Sequence, residues 1–214
     1  MCWSATADLV AGSGIAAIGV VGLAQVRRAR DLPLAALPLL LGTHQLIEAA
    51  VWHSGGGAGP ATTAWAVVAM PLLALWVPCG VLLAAPSPAP RRLLLPLVAG
   101  IATAAVLAVC IAVRPVTAEV RGHTVGYVVH LPLPGLVIAG YLLATVGALL
   151  LTTDPLLRLL GALVGAGALI CFLLWKLEYV STWCAFAAVS AVLMVGWVRR
   201  GPRKPARAPG LRTP

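Results

Sequence analysis

Apolar runs long enough to cross a lipid bilayer follow one another along almost the whole chain. The 214 residues are 61% hydrophobic and only 10% charged, with a mean hydropathy of +0.99. A soluble domain carries about 25% charged residues, and a spanning helix needs about 20 mainly apolar residues. Because lipid offers no partners to backbone polar groups, such runs fold as helices. The sequence therefore predicts an all-α integral membrane protein.

Seven such runs are separated by charged or turn-forming segments. We predict spans at about residues 7–26, 33–52, 62–85, 93–113, 136–151, 156–175 and 182–198. They form one domain, 1–198, and the Pro- and Arg-rich tail 199–214 is expected to be disordered. No Lys or Arg precedes the first run, so we expect a retained helix rather than a cleavable signal peptide. Six spans is the alternative, if the third or fifth run is re-entrant.

The basic residues are distributed unevenly between the two predicted sides. Of the fifteen lysines and arginines, only Arg114, Arg121 and Lys176 fall on the side opposite the tail. The positive-inside rule then predicts an outer N-terminus and a cytoplasmic C-terminus, in a multi-pass protein of the cell membrane. This distribution also accounts for the net charge of +9. Membrane lipids are therefore expected partners, and nucleic acid is not.

Polar residues within the apolar runs concentrate near the predicted outer face. In GTHQLIEAAVWH, His44, Glu48 and Trp52 follow at intervals of four, which places them on one face of the second helix. Gln45 lies beside them. An acid about one turn below the interface is costly to bury, and an ionisable residue in a span is by default a candidate for function.

Other acids, histidines and aromatic residues are expected at the same face. They are Asp8 in the first helix, Glu119, His123, Tyr127 and His130 in the long fourth connection, and Trp175, Glu178 and Trp183 around the last outer turn. Each has a simpler interpretation. Asp8 could cap the first helix, Glu178 could pair with Lys176 or Arg121, the loop residues could be solvated, and the tryptophans could form an interfacial belt.

The five cysteines form no metal-binding pattern. The chain has no CxxC, and its histidines lack zinc-ligand spacing, so neither a metal nor another cofactor is expected. Cys2 and Cys184 both reach the predicted oxidising side, where a disulfide between them is plausible. The alternative is that Cys2 is an N-terminal nucleophile exposed when Met1 is removed.

Three stretches resemble an uncharacterised bacterial family of small membrane proteins. They are MCWSA at the start, LPLAALPLLLGTHQLIEAAVW in the second span and STWCAFAA near the last. Members of that family typically open MCFSA, carry QQ-x-x-E-G-x-x-W in the second helix and end with SVWCFFAA. The likeness groups Cys2, Glu48, Trp52 and Cys184. This chain has His44 where a glutamine is usual and Ala49 where a glycine is usual, so the family's activity could be redirected here.

The architecture is also similar to that of the integral-membrane terpene cyclases of meroterpenoid and indole-sesquiterpenoid pathways. In those enzymes, a membrane-embedded acid protonates an alkene or epoxide and starts ring closure. The likeness implies a cyclase, independent of metal and nucleotide, that takes a prenylated substrate from the bilayer. In this hypothesis the catalytic acids are Glu48, Glu178 and Asp8. The residues that hold the substrate are His44, Gln45, Trp52, Trp76, Trp175 and Trp183.

The competing hypothesis is a protein without enzymatic activity. A small proton-coupled transporter, sensor or assembly factor would use Glu48 and His44 as a proton relay, with Pro71 and Pro78 as hinges. A continuous polar path across the membrane would favour it, whereas an aromatic pocket open to lipid around Glu48 would favour the enzyme. The inner halves of the predicted spans hold few polar residues, which favours the enzyme.

Overall fold

The computed structural model describes residues 4–174 and 186–200, which are mostly helical. The helices of this part are α1 (Ala5–Ala24), α2 (Ala29–His53), α3 (Pro60–Ala84), α4 (Arg91–Val113), α5 (Pro134–Leu151), α6 (Pro155–Leu174) and α7 (Ala187–Arg200). Two strands, β1 (Thr117–Arg121) and β2 (Thr124–Val128), lie between α4 and α5.

Helices α1 to α6 are long and apolar enough to cross a membrane. Large apolar side chains on their outer surfaces are exposed, such as Val98 at 63% and Val109 at 61% on α4, as a helix surrounded by lipid requires. These features confirm a multi-pass helical membrane protein. The seventh predicted run, 182–198, begins among residues outside the described part, and α7 is described over 14 residues.

Helices α1 and α2 approach each other closely enough for their backbones to touch. A Cβ atom added to Gly42 would lie 2.5 Å from the Ala16 nitrogen, and one added to Gly12 would lie 2.9 Å from the Gly42 oxygen. Small residues are needed at such a crossing because any larger side chain would push the helices apart. The crossing brings the first turn of α1 next to the last turns of α2.

Helix α3 contains an irregular turn that is tied to α5. Over Val68–Leu72 the helix widens to a π turn around Pro71, and the Leu73 N–H bonds to the carbonyls of Met70 and Val68. The Ala69 carbonyl instead accepts a hydrogen bond from the Tyr141 hydroxyl at 2.6 Å. Proline has no N–H to donate and commonly disturbs the helical ladder. Tyr141 therefore satisfies a carbonyl that the π turn releases.

The two strands form an antiparallel hairpin in which Ala118 pairs with Tyr127. This hairpin departs from the expectation of an all-helical chain with a solvated loop here. It docks on the glycine run between α2 and α3 through Gly57 N–H to the Ala118 oxygen at 2.7 Å and Ala118 N–H to the Gly57 oxygen at 3.1 Å. Gly56 has φ of +83°, and a Cβ atom there would lie 2.5 Å from the Ala118 oxygen. Glycine is therefore required for the docking.

The bundle has two dissimilar ends. The arginine-rich end holds the connections α1–α2, α3–α4 and α5–α6 and the end of α7. Its basic residues are Arg27, Arg28, Arg30, Arg91, Arg92, Arg158, Arg199 and Arg200. The hairpin end holds the start of α1, the end of α2 and the hairpin. This distribution agrees with the predicted separation of charge between the two sides.

Each end has its own apolar core. The core nearer the arginine-rich end is purely aliphatic apart from Met194, and includes Leu34, Leu37, Val77, Val81, Leu93, Leu149, Leu157 and Leu160. The core of the hairpin end joins α2 and α3 to the hairpin, and includes Val51, Trp65, Ala66, Ala69, Val116, Ala118 and Val125. The hairpin is thus packed as part of the protein interior.

Candidate functional site

Asp8 is fully buried at the hairpin end. Its Oδ2 atom accepts a hydrogen bond from Trp52 Nε1 at 2.9 Å, so the contact joins α1 to α2. The cap of α1 is Ser4, whose Oγ accepts from the Ala7 N–H at 3.1 Å. Asp8 is therefore not the N-cap of its helix, because Ser4 takes that place and the Asp8 side chain binds across the helix interface.

Glu48 is also fully buried, one turn before Trp52 on α2. Its Oε1 atom lies 3.5 Å from the donating Tyr127 hydroxyl, a long contact for a hydrogen bond. Tyr127 belongs to β2, in the connection that was expected to be a solvated loop. The docking of the hairpin on Gly57 is what brings a tyrosine to the buried acid.

Three aromatic rings lie in succession at the hairpin end. Tyr127 stacks on Trp65, with ring centroids 3.4 Å apart and planes inclined by 5°. The His44 ring is tilted by 41° to Trp65, at a centroid distance of 5.0 Å. Trp65 is completely buried, and its Nε1 has no hydrogen-bond partner among the described residues. We call Tyr127, Trp65 and His44 the ring stack.

The structure brings together several of the predicted residues. His44 and Gln45 are 2% and 1% exposed, and Glu48 and Asp8 are 0% exposed. We call these four residues the buried polar cluster. Helical spacing placed His44, Glu48 and Trp52 on one face, and the close α1–α2 crossing adds Asp8. Trp65 was not among the predicted residues, since an aromatic residue near a helix start fits an interfacial belt equally well.

Two apolar cavities adjoin this end of the bundle. The inner cavity, of about 110 Å³, has His44, Tyr141, Thr145 and Ser190 as its polar lining among mostly aliphatic side chains. The outer cavity, of about 210 Å³, is lined by Tyr127, Tyr141 and apolar residues of α3, α4 and α5. Ala69 and Tyr141 border both cavities. His44, a member of the buried polar cluster, lines the inner cavity, and Tyr127, whose hydroxyl contacts Glu48, lines the outer one.

Other predicted residues lie elsewhere or are solvated. Trp76 donates from Nε1 to the Pro33 oxygen at 2.7 Å and packs on the core of the arginine-rich end, so the structure does not bring it to Glu48. Glu119 is exposed and forms an ion pair with Arg121. His123 and His130 are exposed as well, in agreement with the solvated interpretation.

Several predicted residues lie outside the described part of the chain. They are Cys2, Trp175, Glu178, Trp183 and Cys184. The predicted disulfide and the second catalytic acid, Glu178, remain predictions. Within residues 4–174 and 186–200, no three His, Cys, Asp or Glu side chains come together as metal ligands would, and Cys79, Cys110 and Cys171 are free thiols.

Fold and site together define a multi-pass helical membrane protein with a partly acidic, buried polar cluster at one end of its bundle. The chain belongs to a family of unknown function, DUF6629, whose family model matches residues 1–209. No curated protein and no solved structure matches the chain. Membership of an uncharacterised family agrees with the first resemblance noted in the sequence, and the likeness to terpene cyclases stays a hypothesis.

Proposed function

We propose that the protein is an integral-membrane enzyme in which Glu48 supplies the proton that activates a lipophilic substrate taken from the bilayer. Its most specific form is a proton-initiated cyclase of a prenylated compound. The observation that carries the proposal is the contact of a fully buried carboxyl group, Glu48, with Tyr127, which lines an apolar cavity. Seven spans, with the hairpin end outside and the arginine-rich end in the cytoplasm, form part of the proposal.

Burial suits Glu48 to this role. A carboxyl group in a medium of low polarity keeps its proton, because the charged form loses more solvation than the neutral form. Carboxylic acids that stay protonated at neutral pH for this reason are known general acids in enzymes. His44, one turn away on the same helix, would orient the carboxyl group, and Asp8 or Glu178 would return a proton to it after each turnover.

Tyr127 would connect this acid to the substrate. Its hydroxyl contacts Glu48 and its ring borders the outer cavity. In the structure the Tyr127 O–H donates to Glu48; for the proposed step it would turn towards the cavity, and the protonated Glu48 would donate to the phenol oxygen. As the Tyr127 O–H bond breaks and a C–H bond forms at the alkene, the Glu48 proton moves to the phenol oxygen. Glu48 is left as a carboxylate and the substrate as a carbocation. The cyclised cation would lose a proton to Asp8 or Glu178, and return of that proton from there to Glu48 would restore the acid.

The ring stack would stabilise the cation. Aromatic faces attract positive charge by about 0.5–2 kcal/mol each, and more strongly when water is excluded. The Tyr127 ring borders the outer cavity, and Trp65 is stacked behind it, so Tyr127 would offer the aromatic face and Trp65 would support it. Trp76, which was predicted for this role, lies elsewhere. Positioning of the flexible chain inside the cavities would lower the barrier further.

The sizes of the cavities support a branched, chain-like substrate. An apolar cavity of about 150 Å³ takes a benzene-sized guest of about six carbons. By this measure the inner cavity, of about 110 Å³, has room for a group of about four or five carbons, such as one isoprene unit. The outer cavity, of about 210 Å³, would hold the next part of the chain. Tyr141 and Ala69 border both cavities and are hydrogen-bonded to each other, so a chain that occupied both cavities would have to displace the Tyr141 side chain.

The proton-relay alternative rests on the same buried polar cluster. Thr145 and Ser190 line the inner cavity below His44 and are both buried, so polar groups extend some way towards the middle of the bundle. Beyond them lies the aliphatic core of the arginine-rich end. A protein that moves protons across the membrane would need a polar route through that core, and this is why we place the enzyme first.

The test is product formation by the purified protein with geranyl- and farnesyl-bearing substrates. Glu48→Gln keeps the size of the side chain and removes its transferable proton, so turnover should fall by about 10²–10⁴-fold. Glu119→Gln is the matched control, because Glu119 is exposed on the hairpin, and it should cyclise substrate at the wild-type rate. His44→Ala should reduce turnover less than Glu48→Gln.

Two results would contradict the proposal. Cyclisation at the wild-type rate by folded Glu48→Gln protein would remove Glu48 as the acid. A wild-type protein that converts none of the prenylated compounds would favour the proton relay, for which proton uptake by the protein in sealed vesicles is the next measurement.

A further inference from the structure

A cavity at the arginine-rich end lies far from the buried polar cluster and has no part in the proposed reaction. It has a volume of about 230 Å³ and opens between the connections α1–α2, α3–α4 and α5–α6. Its charged lining consists of Arg27, Arg28, Arg30, Asp31 and Asp154. We call it the basic cavity.

The arginines of the basic cavity are available to a ligand. Within residues 4–174 and 186–200, the structure shows one close ion pair, between Arg121 and Glu119 at the hairpin end. Arg27, Arg28 and Arg30 thus form no close ion pair there, although Asp31, in the same cavity, attracts Arg28 and Arg30 at longer range. Asp154 is already engaged, because its Oδ1 accepts from the Leu156 N–H at 2.8 Å at the start of α6.

Part of the wall of the basic cavity is apolar. Val81 and Ala84 of α3, Leu157 of α6 and Trp197 of α7 line it. A free inorganic ion would gain nothing from this wall, whereas an amphiphile would place its polar group on the arginines and its first apolar atoms on the wall. Tryptophan is also typical of the depth at which lipid headgroups meet the hydrocarbon.

We propose that the basic cavity binds the headgroup of a phospholipid, with the phosphodiester on Arg27, Arg28 and Arg30. Guanidinium groups match phosphate oxygens in charge and in their two-pronged geometry, and basic pockets between membrane helices are known to hold lipid headgroups. Asp31 and Asp154 oppose additional negative charge, so the site selects one phosphate over a diphosphate or a polyphosphate. The ligand class is therefore a lipid with a single phosphodiester.

The experiment uses the full-length protein in a neutral detergent and titrates three probes by calorimetry. Dioctanoyl phosphatidylglycerol carries the phosphodiester and the chains, dioctanoylglycerol carries the chains alone, and inorganic phosphate carries the anion alone. We expect binding of the phospholipid only. Arg28→Gln should weaken it by about tenfold or more, as expected when a hydrogen-bonded charge is lost, and Arg28→Lys should restore part of the affinity.

The matched control is Arg92→Gln, which removes one charge from the same end but from a residue that is not part of the cavity lining. Unchanged affinity in this variant supports a defined site. An equal loss in Arg92→Gln would overturn the proposal in favour of general attraction by the basic end. Equal binding of dioctanoylglycerol would overturn the role of the phosphate, and equal binding of inorganic phosphate would overturn the lipid as its source. Arg27→Gln, at an exposed position, replaces Arg28→Gln if that variant does not fold.

Discussion

The two ends of the bundle treat charge in opposite ways. At the hairpin end, Asp8 and Glu48 are fully buried, Asp8 in contact with Trp52 and Glu48 in contact with Tyr127. At the arginine-rich end, Arg27 and Arg30 are exposed around an open cavity, above an aliphatic core. One end encloses ionisable groups in the protein, and the other presents them to its surroundings.

This difference shows which charges need a functional explanation. Arginines at the ends of spans follow from the way membrane proteins are oriented, whatever the protein does. A buried acid has no such general cause, because its burial costs free energy unless partners or loss of charge compensate. A hairpin, a glycine run and a close helix crossing all contribute to enclosing Glu48 and Asp8, which is why the proposed chemistry is assigned to that end.

The largest expected effect concerns the sides of the membrane on which the two ends lie. Single cysteines would replace His123 on the hairpin and Arg92 at the arginine-rich end, in a variant whose five native cysteines are changed to serine or alanine. An impermeant thiol reagent should label the cysteine at position 123 in intact cells and leave the one at position 92 unlabelled until the membrane is opened. The reverse pattern would invert the proposed topology.

The next effect compares one tryptophan of each end. Trp65→Ala should lower the free energy of unfolding by about 3–5 kcal/mol, because it empties a fully buried site beneath Tyr127. Trp76→Ala should cost about half as much, since Trp76 is only partly buried. Chemical denaturation in detergent measures both, and equal losses would mean that the hairpin end is not the more tightly packed of the two.

The contact of the hairpin with the glycine run between α2 and α3 can be separated from the backbone strain of that run. Gly55 and Gly56 both have positive φ, at +71° and +83°, but only at Gly56 would a Cβ atom meet the hairpin. Gly55→Ala should cost about 1–2 kcal/mol from its backbone conformation alone. Gly56→Ala should cost about 1–3 kcal/mol more and should accelerate hydrogen exchange in the hairpin. Equal exchange in the two variants would show that the Gly56 contact does not hold the hairpin.

Helical periodicity made part of the site predictable. Apolar length gave the helices, and a spacing of four residues gave the common face of His44, Glu48 and Trp52. Asp8 could be assigned to the same end because successive spans alternate in direction. These inferences depend on local geometry, which a single sequence contains.

The contacts of Trp65 and Tyr127 could not be predicted in this way. They stack on each other from distant parts of the chain, and only the docked hairpin brings them together. A signal for the hairpin was present in TAEVRGHTVGYV, where β-branched residues flank a turn at Gly122, which has φ of +59°. Trp76 was misplaced for the converse reason, since its aromatic character said nothing about which end it would reach.

The smallest expected effect compares one hydrogen bond at each end. Trp52 Nε1 donates to buried Asp8 at 2.9 Å, and Arg199 Nε donates to Gln25 at 2.8 Å at the surface. A double-mutant cycle isolates each pair, even where a side chain has further contacts. Trp52→Phe with Asp8→Ala should give a coupling of about 1–2 kcal/mol in the free energy of unfolding.

The same cycle with Arg199→Ala and Gln25→Ala should give a coupling of less than about 0.5 kcal/mol. Water competes for exposed polar groups, and fixing two long side chains in one conformation costs entropy. The two bonds are similar in length, so a difference between the couplings would come from burial rather than geometry. Equal couplings would mean that the hairpin end does not strengthen its polar contacts by excluding water. The proposed chemistry of Glu48 depends on that exclusion, because a wet carboxyl group loses its proton and can no longer act as the acid.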